Sequence, residues 1–286
     1  MPLSTALGAP RVVDVVPTLQ TLRPADVAGR VAVVIDVLRA TSTIVAALGA
    51  GARDIRPVAT PEEAQARLAR LEASRGSREG LLLGGEREGF RLPGFDLGNS
   101  PLEYTPKTVA GKTIIFTTTN GTQTLRRAAG AHRTILVASF LNASAVAERL
   151  WTCPTGIVLA CAGTRGWFSL EDTLLAGFLV DSLEKRAADP GAAVGDTSAA
   201  PGPFVFRDLA RSAAALYRTL AGGSGEDLAR VVVTADHARY LTSRGFGADV
   251  AYCASLDLLA VVPEYARGRV TLAAAGRRPV PNPRSG

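Results

Sequence analysis

Short apolar runs alternate with amphipathic stretches from residue 31 to about residue 187. Residues 31–37 form a β-branched run with almost no polar interruption, a pattern typical of a strand that is buried on both faces. Residues 41–48 begin with hydroxyl side chains and continue with apolar ones, and the segment from Pro61 places a proline and two glutamates where a helix would begin. This alternation predicts an α/β fold with a mainly parallel sheet flanked by helices.

The same reasoning assigns elements to the rest of the chain. Further strands are predicted at residues 55–59, 81–83, 112–118, 134–138, 156–160, 256–262 and 269–273. Further helices are predicted at residues 120–129, 142–151, 169–186, 206–220 and 227–243. We expect residues 1–275 to form a single domain that contains a variable loop at 187–203, followed by a disordered tail at 276–286.

Composition and charge exclude several classes of protein. With 286 residues, of which 47% are apolar and 20% charged, the chain is long and apolar enough to bury a large core, so it is neither disordered nor fibrous. The net charge of +6 comes mostly from five arginines in residues 266–286, a segment that contains no acid. The other charges are nearly balanced and scattered, so we expect no nucleic-acid partner.

The cysteines and the N-terminal residues bear on metal binding and location. Three cysteines and two histidines, with no CxxC spacing, argue against a structural zinc site and against a disulfide framework. The first residues lack the basic start and apolar run of a signal peptide, and uncharged segments such as 134–147 are shorter than the roughly 18 residues that a membrane span needs. We therefore expect a cytoplasmic protein that does not associate with membranes.

Polar residues gather where the predicted strands end. Because the carboxyl ends of parallel strands line one edge of a sheet, we expect the loops that follow them to converge on one site. That site would contain carboxylates, an arginine and several helix N-termini. The loops are residues 36–43, 84–88, 117–122, 138–142 and 161–166.

Asp36 is the most informative of these residues. A carboxylate at the end of an apolar strand is costly unless it is paired, hydrogen-bonded or bound to a cation. Arg39 could be its salt-bridge partner; alternatively, Asp36 binds a divalent cation while Arg39 binds an anionic substrate. The same two interpretations, a salt bridge or a bound cation, apply to Glu86, which is next to Arg87. Oxygen ligands without a Cys/His cluster favour Mg²⁺ over zinc.

The polar residues at the predicted helix starts each have two interpretations. Residues 41–43 could cap the helix that follows or contact a ligand. Residues 120–122 could form an ordinary turn or a backbone cradle for an anion at a helix N-terminus. The sequence from Ser169 to Asp172 resembles a capping box, so Asp172 could be structural. A role in a capping box does not account for Glu171.

Other motifs and absences narrow the chemistry. Residues 94–101 form a turn-dense stretch that contains Asp96 and Asn99, and a long ordered loop of this kind is more often functional than not. No GxxxxGK[ST], strand-linked GxGxxG, GxSxG or HExxH motif is present. Asp36 has no second aspartate two residues later and Cys161 has no preceding histidine, which disfavours covalent phosphatase mechanisms. Phosphoryl transfer would then use a metal-activated water.

Several long motifs, in order, resemble those of the 2-phosphosulfolactate phosphatase (ComB) family. The resemblance extends to about Pro263. The motifs are DVLRATSTIVAAL (36–48), GGEREGFRLPGFDLGNSPLEY (84–104), GKTIIFTTTNGTQTL (111–125), ASFLNA (138–143), CAGTRGWFSLEDTLLAG (161–177) and SRGFGADVAYCASLDLLAVVP (243–263).

This resemblance implies a Mg²⁺-dependent hydrolase. The family reaction converts (2R)-2-phospho-3-sulfolactate to sulfolactate and phosphate, a step of coenzyme M biosynthesis. The resemblance also implies an α/β fold particular to the family and a homodimer. The substrate would be this compound or a related small anionic phosphomonoester.

Two alternatives remain: a non-catalytic small-anion binding protein on the same scaffold, and a nucleotide-dependent oxidoreductase that only the fold class supports.

We assign roles to the polar residues from the expected convergence of the loops at the strand ends. Predicted metal ligands are Asp36, Glu86, Glu171 and Asp172, the first three of which, with Arg39, form the predicted catalytic set. Predicted phosphate-binding residues are Arg39, Thr41, Ser42, Asn120, Gly121 and Thr122, and Arg165 is predicted to bind the sulfonate.

Overall fold

A computed structural model describes residues 9–129, 134–189, 202–222 and 224–272. Most of the predicted loop at 187–203 and all of the predicted tail at 276–286 lie outside these ranges. The described part of the chain has an α/β fold in which helices flank a large, mostly parallel mixed sheet, as the sequence predicts.

The helices and strands follow one another closely along the chain. The strands are β1 (Arg11–Val16), β2 (Val31–Ile35), β3 (Asp54–Pro57), β4 (Leu81–Arg87), β5 (Phe90–Arg91), β6 (Thr113–Thr117), β7 (Ile135–Ala138), β8 (Ile157–Cys161), β9 (Phe204–Phe206), β10 (Pro263–Ala266) and β11 (Arg269–Leu272). The helices are α1 (Pro24–Val27), α2 (Ala40–Gly49), α3 (Pro61–Arg75), α4 (Pro106–Val109), α5 (Gly121–Ala128), α6 (Ala143–Trp151), α7 (Leu170–Ala188), α8 (Asp208–Ala221), α9 (Gly225–Val232), α10 (Asp236–Ser243) and α11 (Gly247–Cys253).

Local sequence signals account for the elements whose boundaries agree with the prediction to within a few residues. All five residues of β2 are buried, because alternate side chains enter the two hydrophobic clusters on opposite faces of the sheet. Helix α3 begins at Pro61, after the Thr60 hydroxyl accepts a hydrogen bond from the Glu63 amide, and ends at Gly76, whose φ of 70° is left-handed. These signals involve only a few neighbouring residues, so they can be recognised in the sequence without knowledge of the tertiary structure.

The predicted strand at residues 256–262 is wrong. This segment is a loop bound to the start of α6: Asp257 has a φ of 55°, and its carboxylate accepts hydrogen bonds from the amide and the hydroxyl of Ser144. The amides of Asp257 and Leu259 donate to the carbonyls of Phe140 and Leu141. Hydrogen bonds to residues 140–144, and not pairing with a neighbouring strand, therefore hold this apolar segment in place.

Three further differences concern helices and strands outside the central part of the chain. The predicted helix at 227–243 is two helices, α9 and α10, separated at residues 233–235. The sequence prediction began at residue 31 and missed β1, which pairs in parallel with both β8 and β9. Helix α11 was also missed.

The sheet contains two parallel groups of strands that an antiparallel hairpin joins. The order is β5-β4-β6-β3-β11-β10-β7-β2-β8-β1-β9. Strands β4, β6 and β3 are mutually parallel, as are β7, β2, β8, β1 and β9. Hairpin β10–β11 pairs antiparallel with β7 on one side and with β3 on the other. The two groups therefore run in opposite directions along the sheet.

The loops after β2 and β6 meet although the two groups run in opposite directions. Gly121, which follows β6, lies against Asp36 and Ala40, which follow β2. Helix α2 packs on β3 and β7, and α5 packs on β2 and β3, so both helices lie between the groups. These loops therefore meet without sharing one parallel edge of the sheet.

The hydrophobic core lies on both faces of the sheet. One large cluster fills the space between the sheet and helices α6, α7 and α8, a second surrounds α2 and α5, and a smaller one packs α3 against β4 and β6. The three cysteines are buried free thiols. No helix of the described residues combines the length and apolar character that crossing a bilayer requires.

Candidate active site

A cavity of about 280 Å³ lies where the loops after β2, β4, β6 and β8 meet the first turn of α7. Of the five predicted loops, the one at 138–142 does not reach it. There the Asn142 amide group donates to the carbonyls of Val137 and Val261, and its oxygen accepts from the Ser139 amide. That loop anchors the segment before β10, while the other four converge as predicted.

Four buried carboxylates line the cavity. Asp36 directly follows β2, Glu86 lies near the end of β4, and Glu171 and Asp172 occupy the first turn of α7. These are the four residues that the sequence predicts as metal ligands, and the fold brings them to one cavity.

Burial and mutual repulsion raise the pKa values of three of these acids. The pKa of Asp36 rises from 3.8 to about 7, mainly through burial and further through the negative charges of Glu86 and Glu171. Burial also raises the pKa of Glu171. The pKa of Asp172 lies well above its ordinary value, because of burial and the nearby charges of Glu171 and Asp36. These three carboxylates are therefore stabilised either when they take up protons or when a cation binds beside them.

Asp172 joins two of the converging loops. Its carboxylate accepts hydrogen bonds from the Val37 amide at 2.8 Å and from the Gly163 amide at 3.2 Å. The Ser169 hydroxyl accepts from the Asp172 amide at 3.4 Å and caps α7. The helix cap was predicted, but the carboxylate holds distant backbone rather than completing a capping box.

Glu86 joins the other pair of loops. One carboxylate oxygen accepts from the amide and the hydroxyl of Thr119, and the second accepts from the Gly89 amide at 2.8 Å. Arg87 donates instead to the carbonyls of Ala59 and Glu86 and to the Thr117 hydroxyl. The structure therefore does not use a Glu86–Arg87 ion pair.

Arg39 lines the cavity but does not pair with Asp36. Its guanidinium forms a 2.5 Å ion pair with Asp249 and donates to the Gly89 carbonyl at 2.6 Å. It also lies over the ring of Phe246, 4.1 Å from the centroid. A residue far along the chain thus replaces the predicted local partner.

Four predicted phosphate-binding residues do not line the cavity. The Thr41 hydroxyl accepts from the Asp36 amide, the Ser42 hydroxyl donates to the Val37 carbonyl, and the Thr122 hydroxyl donates to the Thr118 carbonyl. Gly121 lies so close to Asp36 that a β-carbon there would be 2.7 Å from the Asp36 carboxylate. These residues shape the loops that hold the cavity residues.

Asn120 and Arg165 do line the cavity, as predicted. The Asn120 amide donates to the Gly163 carbonyl at 3.0 Å. Arg165 has a left-handed φ of 54°, an uncommon conformation for a side chain other than glycine. Its guanidinium lies 5.2 Å from the Tyr240 ring centroid, and it forms no ion pair within the described ranges. Arg165 is therefore a cavity cation without a carboxylate partner there.

Sequence reasoning missed the contribution of α10, and it singled out the loop that contains Asn99 without assigning that residue to the site. His237, Tyr240 and Leu241 line the cavity from one face of α10, as their i, i+3 and i+4 spacing would allow. Burial and the charges of Arg39 and Arg165 lower the pKa of His237, although a contact with the Leu38 backbone opposes the shift. A neighbouring cavity of about 450 Å³ shares the Arg165 wall and extends to the exposed Trp167.

The carboxylates fit a magnesium ion better than a metal held by protein alone. No three Asp, Glu, His or Cys side chains of the described residues converge closely enough to cage a metal. Mg²⁺ commonly binds one or two carboxylates and keeps several waters, whereas structural zinc needs four protein ligands. Buried carboxylates with raised pKa values supply the hard oxygen atoms that Mg²⁺ prefers.

Comparison with known proteins finds relatives of a single family. The family model described as 2-phosphosulpholactate phosphatase matches residues 17–268. A protein of Symbiobacterium thermophilum named "Probable 2-phosphosulfolactate phosphatase" is 42% identical over 247 residues, which cover 86% of this chain and 96% of that protein. Proteins with the same name are 43% identical in Thermotoga maritima, over 84% of this chain and 90% of theirs, and 34% identical in Clostridium acetobutylicum, over 90% and 99%.

The match spans the strands and loops that build the cavity, from the residue after β1 to the turn between β10 and β11. The Symbiobacterium and Clostridium relatives are covered almost from end to end, so the likeness is not confined to one shared motif. The motifs found in the sequence, the carboxylate-lined cavity and these relatives agree. The chain belongs to the 2-phosphosulfolactate phosphatase family, a family of phosphoric monoester hydrolases.

Proposed function

We propose that the protein hydrolyses 2-phospho-3-sulfolactate, or a closely related small anionic phosphomonoester, to the alcohol and phosphate with the help of Mg²⁺. The observation that carries this proposal is one cavity lined by four buried carboxylates together with Arg39, Asn120 and Arg165. The names of the relatives supply the substrate.

Asp36 and Glu171 are the residues best suited to hold the cation. Each is buried, and the charge of Glu171 raises the pKa of Asp36, so a divalent cation between them would relieve their repulsion. Glu86 would act from a fixed position, because both of its oxygens already accept backbone hydrogen bonds. When bound, Mg²⁺ supplies charge neutralisation at the phosphoryl oxygens and lowers the pKa of a water ligand.

The other polar groups would bind and orient the substrate. Arg39 has guanidinium N–H groups beyond those used by Asp249 and Gly89, and Asn120 lies beside the start of α5. Both suit the phosphoryl oxygens. Arg165, which has no carboxylate partner among the described residues, would take the sulfonate or the carboxylate of the substrate.

The cavity carboxylates would also handle the proton of the attacking water. A buried carboxylate with a raised pKa accepts a proton more readily than an ordinary one, and Asp172, which is not needed to hold the cation, has a pKa that burial raises well above its ordinary value. Burial keeps bulk water away from the same groups. The proton taken from the attacking water would thus remain in the cavity.

A non-catalytic anion-binding protein is the weaker alternative. Five acids, Asp36, Glu86, Glu88, Glu171 and Asp172, line the cavity beside two arginines. That excess of negative charge would repel an anion unless a cation were also bound. The expected coenzyme M role, cytoplasmic location, homodimer and lack of nucleic-acid partners stay predictions.

Phosphate release from a panel of phosphomonoesters, with Mg²⁺ and with a chelator, tests the proposal. We expect 2-phospho-3-sulfolactate to be the best substrate and the chelator to abolish turnover. Asp36→Asn should lower kcat by at least about 100-fold while the fold is retained. The matched control is Asp208→Asn at an exposed position of α8, which should leave kcat unchanged. Equal rates for all esters would contradict the substrate, and full activity with the chelator would contradict the metal.

A further inference from the structure

A second cavity adjoins the active-site cavity. It has a volume of about 450 Å³ and lies between the loop that follows β8 and the start of α10. We call it the aromatic cavity, because Trp167 and Phe168 line it but do not line the first cavity. The residues that line both cavities are Thr164, Arg165, Glu171, His237 and Tyr240.

The two aromatic side chains of this cavity are exposed. Trp167 is 78% exposed and Phe168 is 54% exposed. Exposed apolar surface that lines a cavity is typical of binding sites, because a ligand that covers it releases the water around it. The aromatic cavity is therefore a candidate for binding an apolar group next to the carboxylates.

The loop that carries Trp167 has a fixed backbone. Thr164 and Trp167 exchange two backbone hydrogen bonds of 3.0 and 2.9 Å, and the two residues between them have left-handed φ values of 54° and 84°. Such values are typical of the tight two-residue turns of hairpins. The preceding amide, that of Gly163, donates to the buried carboxylate of Asp172. The exposure of Trp167 is thus not the result of a loose segment.

The substrate that the names of the relatives indicate gives these aromatic side chains no role. A 2-phospho-3-sulfolactate molecule has a three-carbon chain that carries three acidic groups and no apolar substituent. Acidic groups bind to guanidinium groups, amides and cations, and they lose hydration without replacement against an indole or phenyl ring. A substrate with the same phosphate and carboxylate, but with an aromatic ring on the third carbon, would use both cavities.

We propose that the aromatic cavity binds an aromatic substituent on the third carbon of the substrate, so that the protein also hydrolyses 2-phosphorylated 3-aryllactates. This inference rests on the proposed phosphatase function and names a further class of substrate for the same site. Arg165, which lines both cavities, would bind the substrate carboxylate, and the ring would contact Trp167. The bond from phosphorus to the ester oxygen breaks, the oxygen of water bonds to phosphorus, and one proton of that water passes to the aryllactate hydroxyl.

Hydrolysis of two esters that differ only in the ring tests this proposal. They are 2-phospho-3-phenyllactate and 2-phospholactate, assayed with the full-length protein and Mg²⁺. We expect a KM about 10-fold lower or more for the phenyl ester, because burial of the ring releases its hydration. Equal KM values for the two esters would overturn the inference. Turnover of 2-phospho-3-sulfolactate without turnover of the phenyl ester would also overturn it, and would leave the proposed function intact.

Substitution of Trp167 tests where the ring binds. Trp167→Ala should raise KM for the phenyl ester about 3- to 10-fold, and Trp167→Phe, which keeps an aromatic ring, should recover most of that loss. The matched control is Leu258→Ala, which removes an exposed apolar side chain outside both cavities and should leave KM unchanged. An unchanged KM in Trp167→Ala, or an equal rise for the phenyl ester and 2-phospholactate, would contradict a contact between Trp167 and the ring.

Tryptophan fluorescence distinguishes a small ligand from a protein partner. The chain has two tryptophans, of which Trp151 is buried and Trp167 is exposed. Addition of 3-phenyllactate with Mg²⁺ should shift the emission to shorter wavelength, whereas sulfolactate should not. A shift that follows protein concentration without ligand, together with a dimer that Trp167→Ala weakens, would show that a second copy covers Trp167 and would overturn the inference. A wild-type protein that releases no phosphate from any ester would instead reject the proposed function, and this inference with it.

Discussion

The guanidinium of Arg39 is paired with Asp249, 210 positions along the chain, and not with Asp36, three positions before it. The two side chains are 2% and 5% exposed. Asp249 belongs to α11, so a helix from the C-terminal part of the chain orients an arginine that follows β2. This contact leaves the Asp36 carboxylate without a cationic partner among the described residues, which is the condition under which it would bind a metal.

The first prediction concerns this ion pair. Asp249→Asn leaves a buried guanidinium uncompensated, so we expect a loss of about 3–5 kcal/mol in the free energy of unfolding and a raised KM for the phosphomonoester. Urea unfolding and steady-state kinetics measure the two effects. The exposed pair of Arg230 and Asp227 provides the control: Asp227→Asn should cost less than about 1 kcal/mol. Equal small losses in both variants would show that Asp249 does not hold Arg39.

The second prediction is a pH dependence of the metal-free protein. Asp36 has a pKa of about 7 when folded and an ordinary value of 3.8 when unfolded, so the folded state binds its proton more tightly. Stability is therefore greatest below about pH 4 for this group and is lost as the pH rises from about 4 to about 7, by at most about 1.4 kcal/mol per pH unit. Glu171 and Asp172, whose pKa values are also raised, act in the same direction.

Urea unfolding in a chelator at pH 5 and pH 7.5 measures this slope. Asp36→Asn should reduce it, because an asparagine does not titrate. Added Mg²⁺ should stabilise the protein more at pH 7.5 than at pH 5, since the carboxylates must ionise to bind it. A stability that rises between the two pH values in the metal-free protein would contradict the raised pKa values.

The third prediction concerns the meeting point of the loops after β2 and β6. A β-carbon on Gly121 would lie 2.5 Å from the β-carbon of Ala40 and 2.7 Å from the Asp36 carboxylate. Gly121→Ala should therefore push α5 from α2, cost about 1–3 kcal/mol or more of stability and reduce kcat. Gly225→Ala, where the nearest atom is 4.0 Å from the new β-carbon, is the control and should be tolerated. Thermal unfolding and kinetics of both variants provide the comparison.

The fourth prediction concerns substrate selection by Arg165. Arg165→Ala should raise KM for 2-phospho-3-sulfolactate by about 10-fold or more, but should change KM little for a phosphomonoester without a second acid. Arg244→Ala is the matched control. The guanidinium groups of Arg165 and Arg244 both lie 5.2 Å from the Tyr240 ring centroid, but Arg244 does not line the cavity. If Arg165→Ala raises KM equally for both esters, Arg165 binds the phosphate rather than the second acid.

Several helices and strands could be predicted because their signals are local. The continuous apolar run of β2, the Thr60–Pro61 start of α3 and the hydroxyl-rich start of α2 depend only on adjacent residues. The segment at 256–262 has an equally apolar sequence, but contacts with Ser144 and Phe140 hold it as a loop. Local pattern and tertiary contact disagree there, and the contact determines the conformation.

The sequence by itself determined the α/β class, the gathering of Asp36, Glu86, Glu171 and Asp172 at one site, and the family. Only the tertiary structure decided that loops from two oppositely directed strand groups meet, that Asp249 pairs with Arg39, and that Asp172 binds the backbone of two distant loops. The physical reason is distance along the chain. Residue periodicity records which face of an element is buried, whereas hydrogen-bond and ion-pair partners are chosen among side chains that the fold brings together from far apart.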